Sequence, residues 1–281
     1  MQSIDFPIPF VKMSGTGNDF IVIDHRKPII AAGSMPEFAT QVCRRKFSTG
    51  ADGLILIENS DQADFKWLFF NADGSVAEMC GNGARCAARF AFLQGITKEK
   101  MRFETLAGII EAEVSGLDVS VKMTKPHDLQ LNQTISLEAT ELELHSIDTG
   151  VPHAVVFVDD IENTDVRALG SAIRHHQAFL PAGTNVNFVQ KQENSFKVRT
   201  YERGVEDETL ACGTGATACA LIAALLGQTA SPVDIITSGG DRLTILFDLK
   251  AGGSTDIVYN VFLKGPAHVV YKGKLEAEAL L

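Results

Sequence analysis

The sequence predicts an α+β fold of two pseudo-symmetric domains, each a mixed β-sheet or barrel wrapped around a buried central helix. Three observations predict it: short β-branched and aromatic runs recur along the chain, two Ala-rich segments are apolar on nearly every side, and the two halves repeat one another. The first pattern is typical of strands, the second of a helix buried all round, and the third of a duplicated domain.

Strand-like runs are bounded by Gly, Asp, Asn or Pro, the residues that terminate strands in turns. Eleven such runs are predicted as strands: Phe20–Asp24, Leu54–Glu58, Phe65–Phe70, Ile109–Val114, Val119–Met123, Ala154–Val158, Val186–Gln190, Phe196–Tyr201, Asp234–Thr237, Leu243–Phe247 and Ile257–Phe262.

Helices are fewer. Gly83–Gln94 and Gly215–Leu226 are the clearest, and each ends before a glycine, Gly95 or Gly227, that is well placed to cap it. Two weaker amphipathic candidates are Met35–Arg45 and Asp165–His176.

The repeat rests on three matches at a spacing of 132 or 133 positions. Gly17 corresponds to Gly150 and Gly50 to Gly183, and the run MCGNGA around Cys80 corresponds to ACGTGA around Cys212. We therefore expect a first domain at 1–125, joined by a C-terminal strand at 270–281, and a second at 126–269. The boundary is expected near the polar stretch Thr124–Thr134.

Composition narrows the class of protein. The 281 residues are 45% apolar, enough for a large core. Their net charge of −10 argues against nucleic-acid binding, because phosphates are bound mainly by Lys and Arg. The sequence shows no signal peptide and no apolar run of membrane-spanning length, so a cytoplasmic location without membrane contact is expected. Five cysteines without a C-x-x-C pair predict reduced thiols rather than disulfides or a metal site.

The repeated Cys-Gly-x-Gly-Ala motif places a thiol at the start of a buried helix. The first N–H groups of a helix lack internal partners and carry partial positive charge, so they stabilise a thiolate or a carboxylate. Two such motifs around one substrate carbon suit a stereoinversion, in which the thiolate of Cys80 or Cys212 removes the Cα proton and the opposite thiol returns one. No cofactor is then required.

Other interpretations of the cysteines and of the glycine-rich motif are weaker. Cys43, Cys86 and Cys219 are expected to be small buried apolar residues, the commonest role of a free cysteine. The run from Gly213 to Ala218 matches the dinucleotide fingerprint G-x-G-x-x-A, but the acidic segment before it is unsuited to the buried strand that the fingerprint needs.

Five segments give the chain its resemblance to a known family: KMSGTGNDF, NADGSVAEMCGNGARC, VPH, TNVNF and RTYERGVEDETLACGTGA. Through them the chain resembles the pyridoxal-independent diaminopimelate epimerases over nearly its whole length. The resemblance implies an epimerase of lysine and peptidoglycan precursor synthesis that interconverts LL- and meso-diaminopimelate, binds no metal or cofactor, and forms a homodimer.

The resemblance also implies roles for individual residues. Cys80 and Cys212 become the catalytic pair, and His153 and Glu202 become modulators of their pKa values. The implied substrate-binding residues are Asn18, Asn71, Gly81, Asn82, Asn185, Glu202, Arg203, Gly213 and Thr214. Of these, Glu202 and Arg203 suit the distal amino-acid group, because one can accept from its ammonium and the other can pair with its carboxylate.

The chain departs from the family pattern at Val151 and Gly53, where many members carry Asn and Gln, and in a Glu202-to-Cys212 segment that is one residue longer than in some members. These departures bear on distal-end specificity. A racemase for another amino acid, such as histidine or a proline derivative, is the second hypothesis. A ligand-binding module or nucleotide-dependent oxidoreductase is the third.

Overall fold

The computed structural model of the chain describes residues 4–77, 79–137, 140–250 and 258–281. In that part of the chain there are 17 strands and four helices. In chain order they are β1 (Ile8–Gly15), β2 (Asn18–Asp24), α1 (Met35–Cys43), β3 (Gly53–Glu58), β4 (Phe65–Asn71), α2 (Gly81–Leu93), β5 (Lys100–Thr105), β6 (Gly108–Ser115), β7 (Asp118–Lys122), β8 (His127–Leu137), β9 (Thr140–Asp148), β10 (Pro152–Phe157), α3 (Val166–Arg174), β11 (Asn185–Lys191), β12 (Phe196–Glu202), β13 (Asp207–Thr209), α4 (Gly213–Leu225), β14 (Val233–Ile236), β15 (Arg242–Leu249), β16 (Val258–Pro266) and β17 (His268–Leu275).

The chain divides into two units, the first formed by Met1–Val121 with Gly265–Leu281 and the second by Lys122–Lys264. In the first unit, β17 pairs antiparallel with β1 and β1 with β2, and β2 then runs parallel to β3. From there β3 is antiparallel to β4, β4 parallel to β5, and β5, β6 and β7 antiparallel in turn.

The second unit repeats this pairing scheme strand for strand. Strands β8, β9 and β10 are antiparallel neighbours, β10 is parallel to β11, β11 is antiparallel to β12, β12 is parallel to β14, and β14, β15 and β16 are antiparallel. The short strand β13 is an addition that pairs with β12. The predicted α+β fold built from two repeats is confirmed.

Each unit buries one central helix, as the apolar composition of the two Ala-rich segments predicts. In α4 every residue from Gly215 to Ala224 is buried, and α2 buries both apolar residues and Arg85. Each helix ends on a glycine with positive φ, Gly95 at 68° and Gly227 at 72°. Backbone hydrogen bonds from those glycines and the residues after them close the last turn, so both predicted caps are confirmed.

The eleven predicted strands and four predicted helices are all present, with Ile257 outside the described residues. The expected C-terminal strand at 270–281 is β17, which runs from His268 to Leu275, and five strands were missed: β1, β5, β8, β9 and β13. In β8 the apolar residues Leu129, Leu131, Ile135 and Leu137 pack against the cores of the second unit, but exposed polar residues separate them and hide the alternation. Most of the polar stretch where the boundary was expected belongs to β8, and the chain divides between Val121 and Lys122. The ranges 1–125 with 270–281 and 126–269 stay a prediction of its functional domains.

In the part of the chain that the structure describes, no helix has both the length and the apolar character needed to cross a membrane.

Candidate active site

Cys80 is the N-cap of α2. Its backbone is extended, with φ −148° and ψ 117°, so its side chain turns back over the first helical turn and accepts a hydrogen bond from the Gly83 N–H at 3.4 Å. The N–H groups of Gly81 and Asn82 lie in the same turn, and no helical residue precedes them whose carbonyl could accept from them. A half-buried sulfur is thus held among amides that favour negative charge.

Cys212 has the same position in the second unit. It caps α4 with φ −125° and ψ 111°, and the Gly215 N–H lies 3.4 Å from its sulfur. The Thr214 hydroxyl also lies 3.4 Å from the sulfur, and the Thr214 carbonyl accepts from the Thr149 hydroxyl at 3.0 Å. Each unit therefore builds a thiol on a helix end with the same local geometry.

A buried polar network underlies the start of α2. Arg85 is fully buried, and its guanidinium donates to the Thr16 hydroxyl at 2.7 Å and to Asn82 Oδ1 at 2.8 Å. Asn82 Nδ2 donates to Asn18 Oδ1 at 2.7 Å, and Asn18 Nδ2 donates to Asp52 at 3.1 Å. The structure thus brings the predicted residues Asn18 and Asn82 together beside Cys80.

This network limits what those two amides can do for a substrate. The side-chain oxygen of Asn82 accepts from Arg85 at 2.8 Å and lies 2.9 Å from the Thr16 hydroxyl, whose one proton also faces the Gly15 carbonyl at 2.8 Å. A carboxylate needs donors, and Asn82 offers its backbone N–H and the second hydrogen of Nδ2, the first being used on Asn18. Asn18 has one N–H and one lone pair left beyond the bonds to Asn82 and Asp52.

The second unit places a neutral polar network at the corresponding position. Asn187 is fully buried on β11 and donates from Nδ2 to the Ala154 carbonyl at 2.9 Å, while its Nδ2 lies 3.1 Å from His153 Nδ1. Asn187 Oδ1 accepts from the Thr200 hydroxyl at 2.9 Å. His153 is also fully buried, and burial, with a smaller contribution from the positive charge of Arg203, lowers its pKa to about 3.

The predicted distal-group residues of the second unit lie together. Asn185 Oδ1 accepts from the Arg203 backbone N–H at 2.9 Å, and Asn185 Nδ2 donates to the Pro152 carbonyl at 3.1 Å. The Arg203 guanidinium donates to the Ala182 carbonyl at 3.1 Å. Glu202 precedes Arg203 at the end of β12, and burial raises the pKa of its carboxyl. A cationic and an anionic side chain are therefore adjacent on one backbone segment.

Asn71 stands apart from the Cys80 network. It ends β4, and its side chain donates to the Ser75 hydroxyl at 3.0 Å inside its own turn. Its cross-strand partner is Gly53, one of the positions at which the chain departs from the family pattern. A Cβ at Gly53 would lie 2.5 Å from the ring of Phe69 and 2.7 Å from the Phe70 carbonyl, so a glutamine there would require both to move.

The three remaining cysteines are buried, as predicted. Burial raises the pKa of the Cys43 and Cys86 thiols to about 12 and also raises the pKa of Cys219. These thiols are therefore unsuited to nucleophilic or basic roles. Over the four described ranges, no cluster of three or more His, Cys, Asp or Glu side chains could hold a metal ion.

Sequence reasoning missed the residues that support the two helix ends. Arg85, Asn187 and Thr200 were not singled out, although Arg85 lies in the motif around Cys80 and Asn187 lies in TNVNF. The available signal was a polar residue at a position that the helical or strand pattern assigns to the core. Such a residue needs a buried partner, and both networks supply one.

Comparison with known proteins gives concordant results. The family model described as diaminopimelate epimerase matches residues 10–128 and 145–267. The diaminopimelate epimerase of Aquifex aeolicus is 50% identical over 285 residues, covering 96% of this chain and 99% of that protein. That of Hydrogenobaculum sp. is 49% identical over 280 residues, covering 95% and 98%.

Solved structures share the fold at low identity. A phenazine biosynthesis protein of the PhzF family from Bacillus anthracis matches with a TM-score of 0.73 and 14% identity over 97% of this chain and all of that one. A hydroxyproline epimerase from Agrobacterium vitis matches with a TM-score of 0.66 and 16% identity, covering 96% and 93%. At such identities the likeness concerns the fold alone.

Proposed function

Because the chain belongs to the diaminopimelate epimerase family, whose members are isomerases, we propose that it interconverts LL- and meso-2,6-diaminopimelate for lysine and peptidoglycan precursor synthesis. The observation that carries this proposal is the duplicated helix cap. Cys80 and Cys212 each accept a backbone hydrogen bond at 3.4 Å from the glycine three positions later.

The proposed reaction moves one proton at one Cα. The thiolate of one cysteine takes the proton, the bonding electron pair stays on the carbon and spreads into the α-carboxylate, and the thiol of the other cysteine delivers a proton to the opposite face. The enzyme then holds the complementary pair of thiol and thiolate, and the reverse reaction restores the first state. Acid and base both come from the chain, so the proposal calls on no cofactor.

The difficult step is the removal of a weakly acidic proton, and the amides at the helix ends are proposed to stabilise the charge that forms. Negative charge builds up on the α-carboxylate as the proton leaves, and amides aimed at that charge stabilise the transition state more than the ground state. The backbone N–H groups of Gly81, Asn82, Gly213 and Thr214 are the proposed donors. Their helices, α2 and α4, are buried and rigidly capped at both ends.

We propose that the enzyme selects its substrate by recognising the second, distal amino-acid group of diaminopimelate. Arg203 supplies a cation for the distal carboxylate, Glu202 an acceptor for the distal ammonium, and Asn185 holds the backbone between them through its bond to the Arg203 N–H. Asn71 is proposed to contribute from the first unit. Proline and histidine derivatives lack a second amino-acid group of this kind, so the charged pair favours diaminopimelate.

His153 and Glu202 are proposed to tune the reacting groups, since both are polar and held in largely buried positions of the second unit. We also propose that the enzyme is a cytoplasmic homodimer. Sedimentation should then give twice the chain mass of 30.3 kDa. A monomer that retains full turnover would reject the dimer without affecting the chemistry.

Deuterium incorporation tests the function. Purified enzyme incubated with LL-diaminopimelate in D2O should place deuterium at one Cα and yield the meso isomer. Cys80→Ala and Cys212→Ala should each abolish inversion, because each lacks the acid or the base. Cys43→Ala is the matched control, since that thiol is buried in a different apolar cluster from the one that Cys80 packs against, and turnover should be unchanged. Inversion by either active-site variant would reject the two-base scheme, and exchange with proline or histidine alone would reject the substrate.

A further inference from the structure

Asn187 has an amide whose orientation is fixed from two sides. Its oxygen faces the Thr200 hydroxyl at 2.9 Å, and its nitrogen faces the Ala154 backbone carbonyl, also at 2.9 Å. Turning the amide over would set two acceptor oxygens against each other at Ala154. The nitrogen is therefore the atom that lies 3.1 Å from His153 Nδ1.

This orientation determines where the proton of His153 lies. An amide nitrogen carries two donor hydrogens and no lone pair, so His153 Nδ1 must be the acceptor in their contact. A neutral imidazole that accepts at Nδ1 carries its proton on Nε2. Burial keeps the ring neutral by lowering its pKa to about 3, and Arg203 is the charged group that adds to this effect.

The Nε2–H group of His153 has no acceptor among the described residues, although the ring is fully buried. A buried donor without an acceptor is costly, and such groups in native proteins call for a functional explanation. The ring also lies close to the start of α4. Asn187 Oδ1 occupies the space that a Cβ at Gly215 would take, and the Gly215 N–H is the donor to the Cys212 sulfur.

We propose that Asn187 and Thr200 are positioning residues that hold His153 as a neutral imidazole protonated on Nε2, so that it donates a hydrogen bond to an anionic acceptor during the reaction. The acceptor is either a substrate carboxylate oxygen or the Cys212 thiolate. The role of the donor rests on the proposed function, whereas the fixed tautomer does not, because it follows from hydrogen bonds in the resting protein. His153 is accordingly neither a general base nor an imidazolium.

Nitrogen-15 NMR of histidine-labelled enzyme measures the tautomer directly, and the chain supplies two reference residues. Nε2 of buried His25 accepts from the Ile29 and Ile30 N–H groups at 3.0 Å, so its proton lies on Nδ1. Nδ1 of buried His145 accepts from the Asn132 N–H at 3.0 Å, so its proton lies on Nε2. The resonances of His153 should match the pattern of His145 and differ from that of His25 at neutral pH.

Variants test the positioning role. Asn187→Asp replaces the donor by a carboxylate that accepts from Nδ1–H, so the proton of His153 should move to Nδ1 and kcat should fall by about tenfold, the size of one lost charge-assisted hydrogen bond. Thr200→Val removes the group that orients the amide and should give mixed tautomers, whereas Thr200→Ser should retain the wild-type tautomer. Thr244→Val is the matched control, because it removes a hydroxyl that donates to Asp234 elsewhere in the second unit, and it should change neither tautomer nor kcat.

The acceptor is identified by two arms of the same experiment. Adding diaminopimelate should shift the Nε2 resonance in both wild-type and Cys212→Ala enzyme if a carboxylate is the acceptor, and in wild-type enzyme alone if the thiolate is. A wild-type His153 protonated on Nδ1, or an Asn187→Asp enzyme with a moved proton and unchanged kcat, would overturn the proposal. Loss of the proposed function would instead appear as absent inversion with the tautomer intact.

Discussion

Replacing Gly215 by alanine should damage the second unit, while the same change at Gly83 should not damage the first. The two glycines occupy the same position, three residues after the capping cysteine, and both donate their N–H to the sulfur. The two glycines differ in the side chains that pack against them. A Cβ at Gly83 would meet Trp67 at 3.3 Å and Ile55 at 3.5 Å, whereas a Cβ at Gly215 would overlap Asn187 Oδ1 and lie 3.3 Å from its Cγ.

The expected difference in unfolding free energy between the two variants follows from this contact with Asn187. Alanine favours a helix over glycine by up to about 1 kcal/mol, and because both positions lie in the same turn this gain is common to the two variants. Overpacking against Asn187 costs about 1–3 kcal/mol. Displacing its oxygen also weakens the hydrogen bond from Thr200, which is worth about 1 kcal/mol. Gly215→Ala should therefore be about 2–4 kcal/mol less stable than Gly83→Ala.

Urea unfolding followed by circular dichroism measures the two free energies of unfolding, and amide hydrogen exchange locates the loss. Protection should fall along β11 and the first turn of α4 in Gly215→Ala, with little change along α2 in Gly83→Ala. Turnover should fall with Gly215→Ala, because His153 loses its fixed neighbour. Equal unfolding free energies for the two variants would refute the reasoning, since it depends on Asn187 being unable to move cheaply.

Arg203→Ala should raise KM for diaminopimelate at least about tenfold with kcat little changed, because it removes a charge-assisted contact to the distal carboxylate. Arg167→Ala, at an exposed ion pair, should leave KM unchanged. An unchanged KM for Arg203→Ala would show that the distal site has been misplaced. Burial holds the pKa of His153 at about 3, so the unfolded chain takes up a proton below pH 6.5 while the folded chain does not. Stability should therefore fall as pH falls, by about 2 kcal/mol more in wild type than in His153→Gln between pH 6.5 and 5, and parallel pH profiles would contradict this. Arg85→Met should lower the free energy of unfolding by about 2–4 kcal/mol, because it leaves buried acceptors unpaired, whereas Arg26→Met at a half-buried ion pair should lower it by no more than about 1 kcal/mol. Calorimetry can check this contrast.

Local sequence signals predicted the helix caps and the repeat. A cysteine followed by glycine ahead of an Ala-rich run marks the start of a buried helix, and Gly95 and Gly227 mark the ends, because only a residue tolerant of positive φ fits there. These signals are short-range, so one sequence suffices to read them. The matching strand pairings of the two units follow from the same duplication.

The networks behind the helices depend on residues distant in the chain, and no periodicity reveals them. Arg85 meets a Thr16 hydroxyl 69 positions away, and Asn187 meets His153 34 positions away. A single arginine on an apolar helix is ordinarily expected to reach solvent, and its burial follows only once partners are known. Strand β8 was missed because exposed polar residues dominate its first half, although Leu129 and Leu131 in that half pack against the core of the second unit.

The duplicated fold keeps the backbone chemistry of the two thiols alike while the side chains around them differ. Arg85 and Thr217 stand at equivalent positions and donate to the equivalent carbonyls of Gly81 and Gly213, yet one carries a charge and the other does not. Behind the helices, the apolar cross-strand pair Ile55 and Phe69 in the first unit corresponds to the polar pair Asn187 and Thr200 in the second. A symmetric proton transfer needs the shared amides, and a substrate with one reacting and one distal end needs surroundings that differ. The backbone that the two units share provides the amides, and the side chains that differ between the units provide the unlike surroundings.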